Sequence, residues 1–174
     1  LRCVICFLQS ITMQRYLYIR ATFFQLEKEF VSQTCEVVKS LTSKDGTIKY
    51  LFELNDGNII ETVLMRHNYG NSVCVTSQVG CNMGCKFCAS TLQGKDRDLL
   101  PSELLGQVLV AQREVGKRIS SLVMMGIGEP LDNYDNVMRA IEILTADWGF
   151  AWSPKRITLS TIGVLPNLKR YLDE

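Results

Sequence analysis

The sequence predicts an α/β fold with a parallel sheet, preceded by a small helix and a β-hairpin. Two observations point to it. Past residue 100, strand-like and helix-like segments alternate at the lengths expected of βαβ units. The residues unusual enough to carry chemistry fall in the loops directly after the strands, where parallel α/β folds place their sites.

The elements follow in order. Between Gln14 and Val31 the apolar residues Leu17, Phe23, Phe24, Leu26, Phe30 and Val31 are loosely helical in spacing, with Glu27, Lys28 and Glu29 on the other side. Two β-rich runs, 47–54 and 58–64, flank Asn55-Asp56-Gly57, a turn signal that makes them a hairpin. A third run, 72–76, leads into a Gly- and Cys-rich loop over 78–94. Pro101 opens a helix with Leu104, Leu105, Val108, Ala111 and Val115 on one face, and Gly116 closes it. A strand over 120–125, a helix marked by Val137, Ala140, Ile141 and Leu144, a strand over 156–160 and a helix from Pro166 complete the alternation. The expected division is a mainly helical accessory segment over 1–44, a hairpin extension over 45–70 and the barrel-like core over 71–174.

With 47% hydrophobic and 21% charged residues, the chain is neither disordered nor fibrous. Its formal net charge of +1 supplies no global field toward nucleic acid, so any RNA contact depends on a local patch. The apolar opening over residues 1–8 is broken by Gln9, Ser10, Thr12 and Gln14 and lacks a clean cleavage site, which argues against export. No run approaches the ~20 apolar residues of a membrane helix. Of seven cysteines, three crowd into eight residues while Cys3, Cys6, Cys35 and Cys74 are scattered. Clustering of that kind favours a metal in a reducing compartment over disulfides, and the expected location is the cytoplasm.

Cys81, Cys85 and Cys88 stand at CxxxCxxC spacing in the loop after a strand. Three thiolates hold three irons of a cubane and leave the fourth open to substrate, whereas a closed site takes four ligands. A zinc site recruiting Cys74 as fourth ligand, or plain buried cysteines, remain as alternatives at this point. The chain has one histidine, His67, so no His-dependent triad and no His-rich metal site can be assembled.

The CxxxCxxC motif, with Phe87 before its last cysteine, resembles the radical S-adenosylmethionine superfamily. The longer string from Cys74 to Cys88, with Met125-Gly126-Ile127-Gly128-Glu129-Pro130 and Ile157-Thr158-Leu159-Ser160-Thr161, resembles the RlmN/Cfr family of rRNA adenine methyltransferases, nearest its RlmN branch. The likeness covers about residues 45–174. It implies the N-terminal part of a partial (β/α)6 radical SAM barrel and a dual-specificity enzyme methylating C2 of an adenine in 23S rRNA and in tRNA.

By the same resemblance, Cys81, Cys85 and Cys88 ligate a 4Fe-4S cluster whose open iron is chelated by S-adenosyl-L-methionine. Gly128 allows close backbone approach, Glu129 pairs with the cofactor's ammonium, and Ser160 contacts the cofactor. Glu61 is the implied proton acceptor. Cys74 is the implied resolving cysteine, which forms a disulfide with a methyl-carrying cysteine and so releases the product. Taken alone, these residues also read as a solvated turn glutamate, a strand-end serine, a solvated strand glutamate and a small buried cysteine.

Lys86, Lys95 and Arg97, with Arg66, His67, Asn68 and Tyr69, are expected to flank an RNA path, with a solvated surface as the alternative. Trp148 and Trp152 are expected to pack rather than stack on bases. The implied partners are 23S rRNA, tRNA and an electron donor such as flavodoxin, with no membrane, acting on a monomer. The family's methyl-carrying cysteine is expected beyond Glu174, which predicts that residues 1–174 are inactive by themselves. The competing functions are a Cfr-like enzyme methylating adenine C8, and a truncated, non-catalytic iron-sulfur or zinc RNA-binding protein.

Overall fold

Residues 35–42, expected within a mainly helical segment, form a strand. The strand carries adjacent β-branched residues, Val37 and Val38, and its backbone pairs with the next strand, which overrides any local helical tendency. The computed structural model describes residues 35–173, so the helix expected over 14–31 lies outside the described residues.

Strands β1 (Cys35–Thr42), β2 (Ile48–Leu54), β3 (Ile59–His67) and β4 (Gly70–Val75) form an antiparallel meander. Strands β7 (Ile119–Met124) and β8 (Ile157–Leu159) continue the same sheet in parallel with β4, giving the order β1-β2-β3-β4-β7-β8. The sheet therefore runs unbroken through residue 70, where the sequence suggested a boundary. The sheet is mixed α/β, with its parallel half built by the crossover helices α1 (Pro101–Val115) and α2 (Tyr134–Thr145) and followed by α3 (Leu165–Asp173). Part of the expected loop over 78–94 and its exit forms a second, two-stranded ribbon from β5 (Gln78–Gly80) and β6 (Lys95–Asp98).

Alternation gives the main sheet two distinct faces. Tyr50, Phe52, Ile60, Thr62, Leu64, Val73, Val75, Leu122 and Met124 are buried, and α1 packs across β1, β2, β4 and β7. Full burial of each large apolar side chain stabilises the fold by about 1.5–3 kcal/mol. The opposite face carries Lys49, Val63, Cys74, Val123 and Thr158 in one continuous register row, with Glu61 two residues from Val63. These side chains are partly or fully exposed.

α1 begins where the sequence marks it. Pro101 fixes the first turn, the Glu103 carboxylate accepts the Leu100 N–H at 2.8 Å, and Gly116 ends the helix in a left-handed conformation at φ 59°. Trp152 is buried, whereas Trp148 is exposed with the Arg139 guanidinium 5.9 Å above its ring. Among the described residues no helix is long and apolar enough to cross a membrane.

Candidate functional site

β4, β7 and β8 end at one level, because Val75, Met124 and Leu159 are register partners across the parallel sheet. Three loops leave from that edge: 76–94 with the cysteines, 125–133 with Gly128 and Glu129, and 160–164 with Ser160. Backbone bonds hold them together at the exit. Gly126 N–H donates to Val75 O at 3.0 Å, Ser77 N–H to Ile127 O at 2.9 Å, and Ser160 N–H to Met124 O at 3.2 Å.

The cysteine loop is pinned at its base. Cys81 N–H donates to Gly94 O at 3.1 Å, and Gly80, at φ +74°, passes so near that a Cβ there would lie 1.9 Å from that oxygen. Inside the loop, Cys88 N–H donates to Cys85 O at 3.0 Å. Cys81 is buried, Cys85 and Cys88 are half-buried, and Phe87 is 93% exposed. Cys74, Cys81, Cys85 and Cys88 are free thiols, and no disulfide joins two of the described residues. Nor do any three His, Cys, Asp or Glu side chains among them already converge on one metal position. The donor set suits an iron-sulfur cubane all the same: three unpaired soft thiols within eight residues of one irregular loop.

Glu129 is 3% exposed. Its Oε1 accepts Leu131 N–H at 3.0 Å and the Thr161 hydroxyl at 2.5 Å, and its Oε2 accepts Ile162 N–H at 3.0 Å. The carboxylate thus ties the loop after β7 to the loop after β8. It uses three of about four acceptor positions, which leaves one for a further donor. Gly128 has φ +100°, and a Cβ on it would come within 2.6 Å of the Gln78 side chain.

Cys74 and Glu61 sit on the open face of the sheet, near these loops. Cys74 pairs with Val63, so Glu61 is its diagonal neighbour at about 7–8 Å. Burial pushes the Cys74 thiol up from its ordinary value, with the Met125 backbone pulling weakly the other way. Glu61 forms an ion pair with Lys49 at 2.8 Å. Its carbonyl accepts the Thr76 hydroxyl at 2.5 Å, and the Thr76 oxygen in turn accepts Ile127 N–H at 3.2 Å. Gln107, fully buried, takes the Thr62 hydroxyl at 2.7 Å and bonds both Thr76 backbone groups at 2.8 and 2.9 Å. A cavity of about 680 Å³ opens beside Ile127, Gly80 and Lys95, a volume that suits a small-molecule ligand.

The expected basic path does not form as one surface. Lys95 bonds Asp132 at 2.8 Å and Asp98 at 3.3 Å; these partners raise its ammonium's affinity for the proton. Arg97 forks onto Glu103 with two bonds of 2.8 Å and reaches Asp56 at 2.5 Å, which holds the Asp56 carboxyl far below the usual range. The turn of Arg66, His67 and Tyr69 precedes β4 and so lies at the opposite end of that strand from the cysteine loop. Its rings stack at 4.8 Å on the far edge of the sheet. Lys86 alone of these basic residues stays exposed on the cysteine loop.

Gln78, Thr76, Gln107 and Asp132 were not singled out by sequence. Each has a partner between 20 and 54 residues away, and no local pattern marks a glutamine that will be buried.

The profile of the Radical SAM superfamily matches residues 75–174. The chain belongs to the radical SAM superfamily. Members use a 4Fe-4S cluster and S-adenosylmethionine. The chain is 52% identical over 156 residues to a protein of Clostridium acetobutylicum named probable dual-specificity RNA methyltransferase RlmN, covering 89% of this chain and 45% of that one. A Lachnospira eligens protein of the same name is 53% identical over 148 residues, covering 84% and 42%. The crystal structure of a radical SAM methyltransferase from Sphaerobacter thermophilus superposes with a TM-score of 0.78 at 40% identity, covering 86% of this chain and 45% of that one. The chain thus spans under half the length of these radical SAM relatives.

Proposed function

We propose that residues 35–173 form the cluster- and cofactor-binding part of a radical SAM RNA methyltransferase that methylates C2 of adenine in 23S rRNA and tRNA through a methyl-cysteine intermediate. The observation that carries this is the shared exit level of the loops after β4, β7 and β8, with Cys74 and Glu61 on the open face beside them. The identity to proteins named RlmN supports the choice of substrate and position.

When bound, the cluster and S-adenosylmethionine supply one-electron radical chemistry. Cys81, Cys85 and Cys88 would hold the cluster, and leave one iron open. Gly128 gives the backbone room to approach the cofactor, the unused acceptor position of Glu129 takes its ammonium, and Ser160 adds a polar contact from the third loop. Glu61 removes the proton from the adenine ring. Cys74 then gives up its thiol proton and attacks the sulfur of the cysteine that is joined to the adenine through a methylene carbon: a sulfur–sulfur bond forms, the sulfur–carbon bond breaks with its electron pair left on the carbon, that carbon takes up a proton to become the methyl group, and the methylated base leaves. A protein electron donor such as flavodoxin serves the cluster, and the protein acts as a cytoplasmic monomer.

The full-length gene should be expressed in a host lacking adenine-C2 methylation, and its rRNA and tRNA digested for mass spectrometry. The expected product is 2-methyladenine, lost in Cys81→Ala. Finding only the C8 product would replace this reading with the Cfr-like one. Cluster-free, zinc-loaded protein that binds RNA without modifying it would replace it with a non-catalytic binding protein.

A further inference from the structure

Gln78 is fully buried and lies three residues before Cys81. Its side-chain amide is used on both sides. Nε2 donates to Asp98 Oδ1 at 2.7 Å and to Asp132 Oδ2 at 2.8 Å, and Oε1 accepts Glu129 N–H at 2.9 Å. Its own backbone N–H donates to Ile127 O at 3.3 Å. Its stem fills the space that a side chain at Gly128 would need.

Gln78 therefore joins two neighbouring loops of the site. On one side it is part of β5, which pairs with β6 and runs straight into the pinned base of the cysteine loop. On the other it holds the Gly128–Glu129 turn by a main-chain N–H, and through Asp132 the segment that follows. Lys95 closes the network by bonding both aspartates. Only an amide fits this position: two donors face two carboxylates while one acceptor faces an N–H. A carboxylate there would set a third negative charge against two others, and an apolar side chain would leave buried polar groups without partners.

We propose that Gln78 is a positioning residue that fixes the separation between the cysteine loop and the Gly128–Glu129 turn, and thereby the affinity for the amino-acid head of S-adenosylmethionine. This rests on the reading of those two loops as cluster and cofactor sites. The head must reach the open iron and the turn at once, so its binding depends on the gap between them. A change in that gap weakens cofactor binding without removing any thiol.

The test uses the full-length protein, reconstituted anaerobically with iron and sulfide, as wild type, Gln78→Glu, and Gln78→Glu combined with Asp132→Asn. The second substitution gives back a donor toward the new carboxylate. Iron content and melting temperature report folding and cluster loading. Equilibrium dialysis of S-adenosylmethionine, and the change it causes in the electron paramagnetic resonance of the reduced cluster, report positioning. Gln78→Glu is expected to keep its iron, to bind the cofactor on the order of tenfold more weakly and to show a diminished spectral change, with the double variant recovering both.

Cofactor binding within twofold of wild type in Gln78→Glu overturns the proposal. So does failure of both variants to load iron, which makes Gln78 a folding residue, and so does a double variant no better than the single. Wild-type protein that takes up no iron refutes the cluster assignment itself, a result distinct from all of these.

Discussion

Lys49 Nζ and Glu61 Oε2 stand 2.8 Å apart on the face of the sheet that carries Cys74. Both side chains are more than two-fifths exposed, so water screens the pair and its contribution to stability is about 0.2–1 kcal/mol. Lys49→Ala should therefore shift the urea midpoint only slightly. Glu61→Gln should leave the fold equally intact while abolishing 2-methyladenine formation by the full-length protein. Residual methylation near the wild-type level would remove Glu61 from the mechanism.

The two ends of the cysteine loop touch backbone to backbone. Gly80→Ala would force its methyl against Gly94 O, 1.9 Å away, and break the Cys81 N–H bond at the loop base. Iron uptake should fall sharply, with a lowered melting temperature. Gly84, at φ +67° with nothing within 4 Å, is the control: Gly84→Ala should cost only about 1–2 kcal/mol of backbone strain and keep its iron. Equal iron loss in both variants would count against the loop-base account.

Removing the Glu129 carboxylate leaves Leu131 N–H, Ile162 N–H and the Thr161 hydroxyl without their acceptor in a buried place. Glu129→Ala is expected to lose about 2–4 kcal/mol in chemical denaturation. A loss below 1 kcal/mol would show that water replaces the carboxylate freely.

Burial raises the Cys74 thiol above its ordinary value of 9.0, so the neutral thiol prevails at pH 7 and the reactive thiolate grows in only at high pH. Alkylation of Cys74 by iodoacetamide, followed by mass spectrometry, should be slow at pH 7 and still accelerating past pH 9. A plateau below that pH would contradict this.

Lys95 and then Gln78 hold the Asp132 carboxyl below its ordinary 3.8. A carboxyl lowered on folding contributes stability that is full above pH 3.8 and is lost as pH falls through the folded value. The stability difference between wild type and Asp132→Asn should therefore be constant near neutrality and shrink below pH 3.8. An acid limb parallel in the two proteins would contradict the assignment.

What could be read in the sequence was local. Three thiols within eight residues, the turn at Asn55-Asp56-Gly57 and the Pro101 and Gly116 boundaries of α1 all depend on neighbours a few residues away. The features that escaped are tertiary. β1 owes its conformation to pairing with β2, and Gln78 owes its burial to Asp98, Asp132 and Glu129. Arg66 to Tyr69 precede the cysteines closely in sequence, yet β4 carries the chain about 17 Å along the sheet between them.

That separation has a practical side. The turn at Asn68 and Tyr69 projects from the edge of the sheet remote from the cysteine, Gly128 and Ser160 loops. It offers an attachment point for a fluorophore or an affinity peptide. Immobilised or labelled there, the protein presents its thiol-bearing end to solution, oriented alike on every molecule.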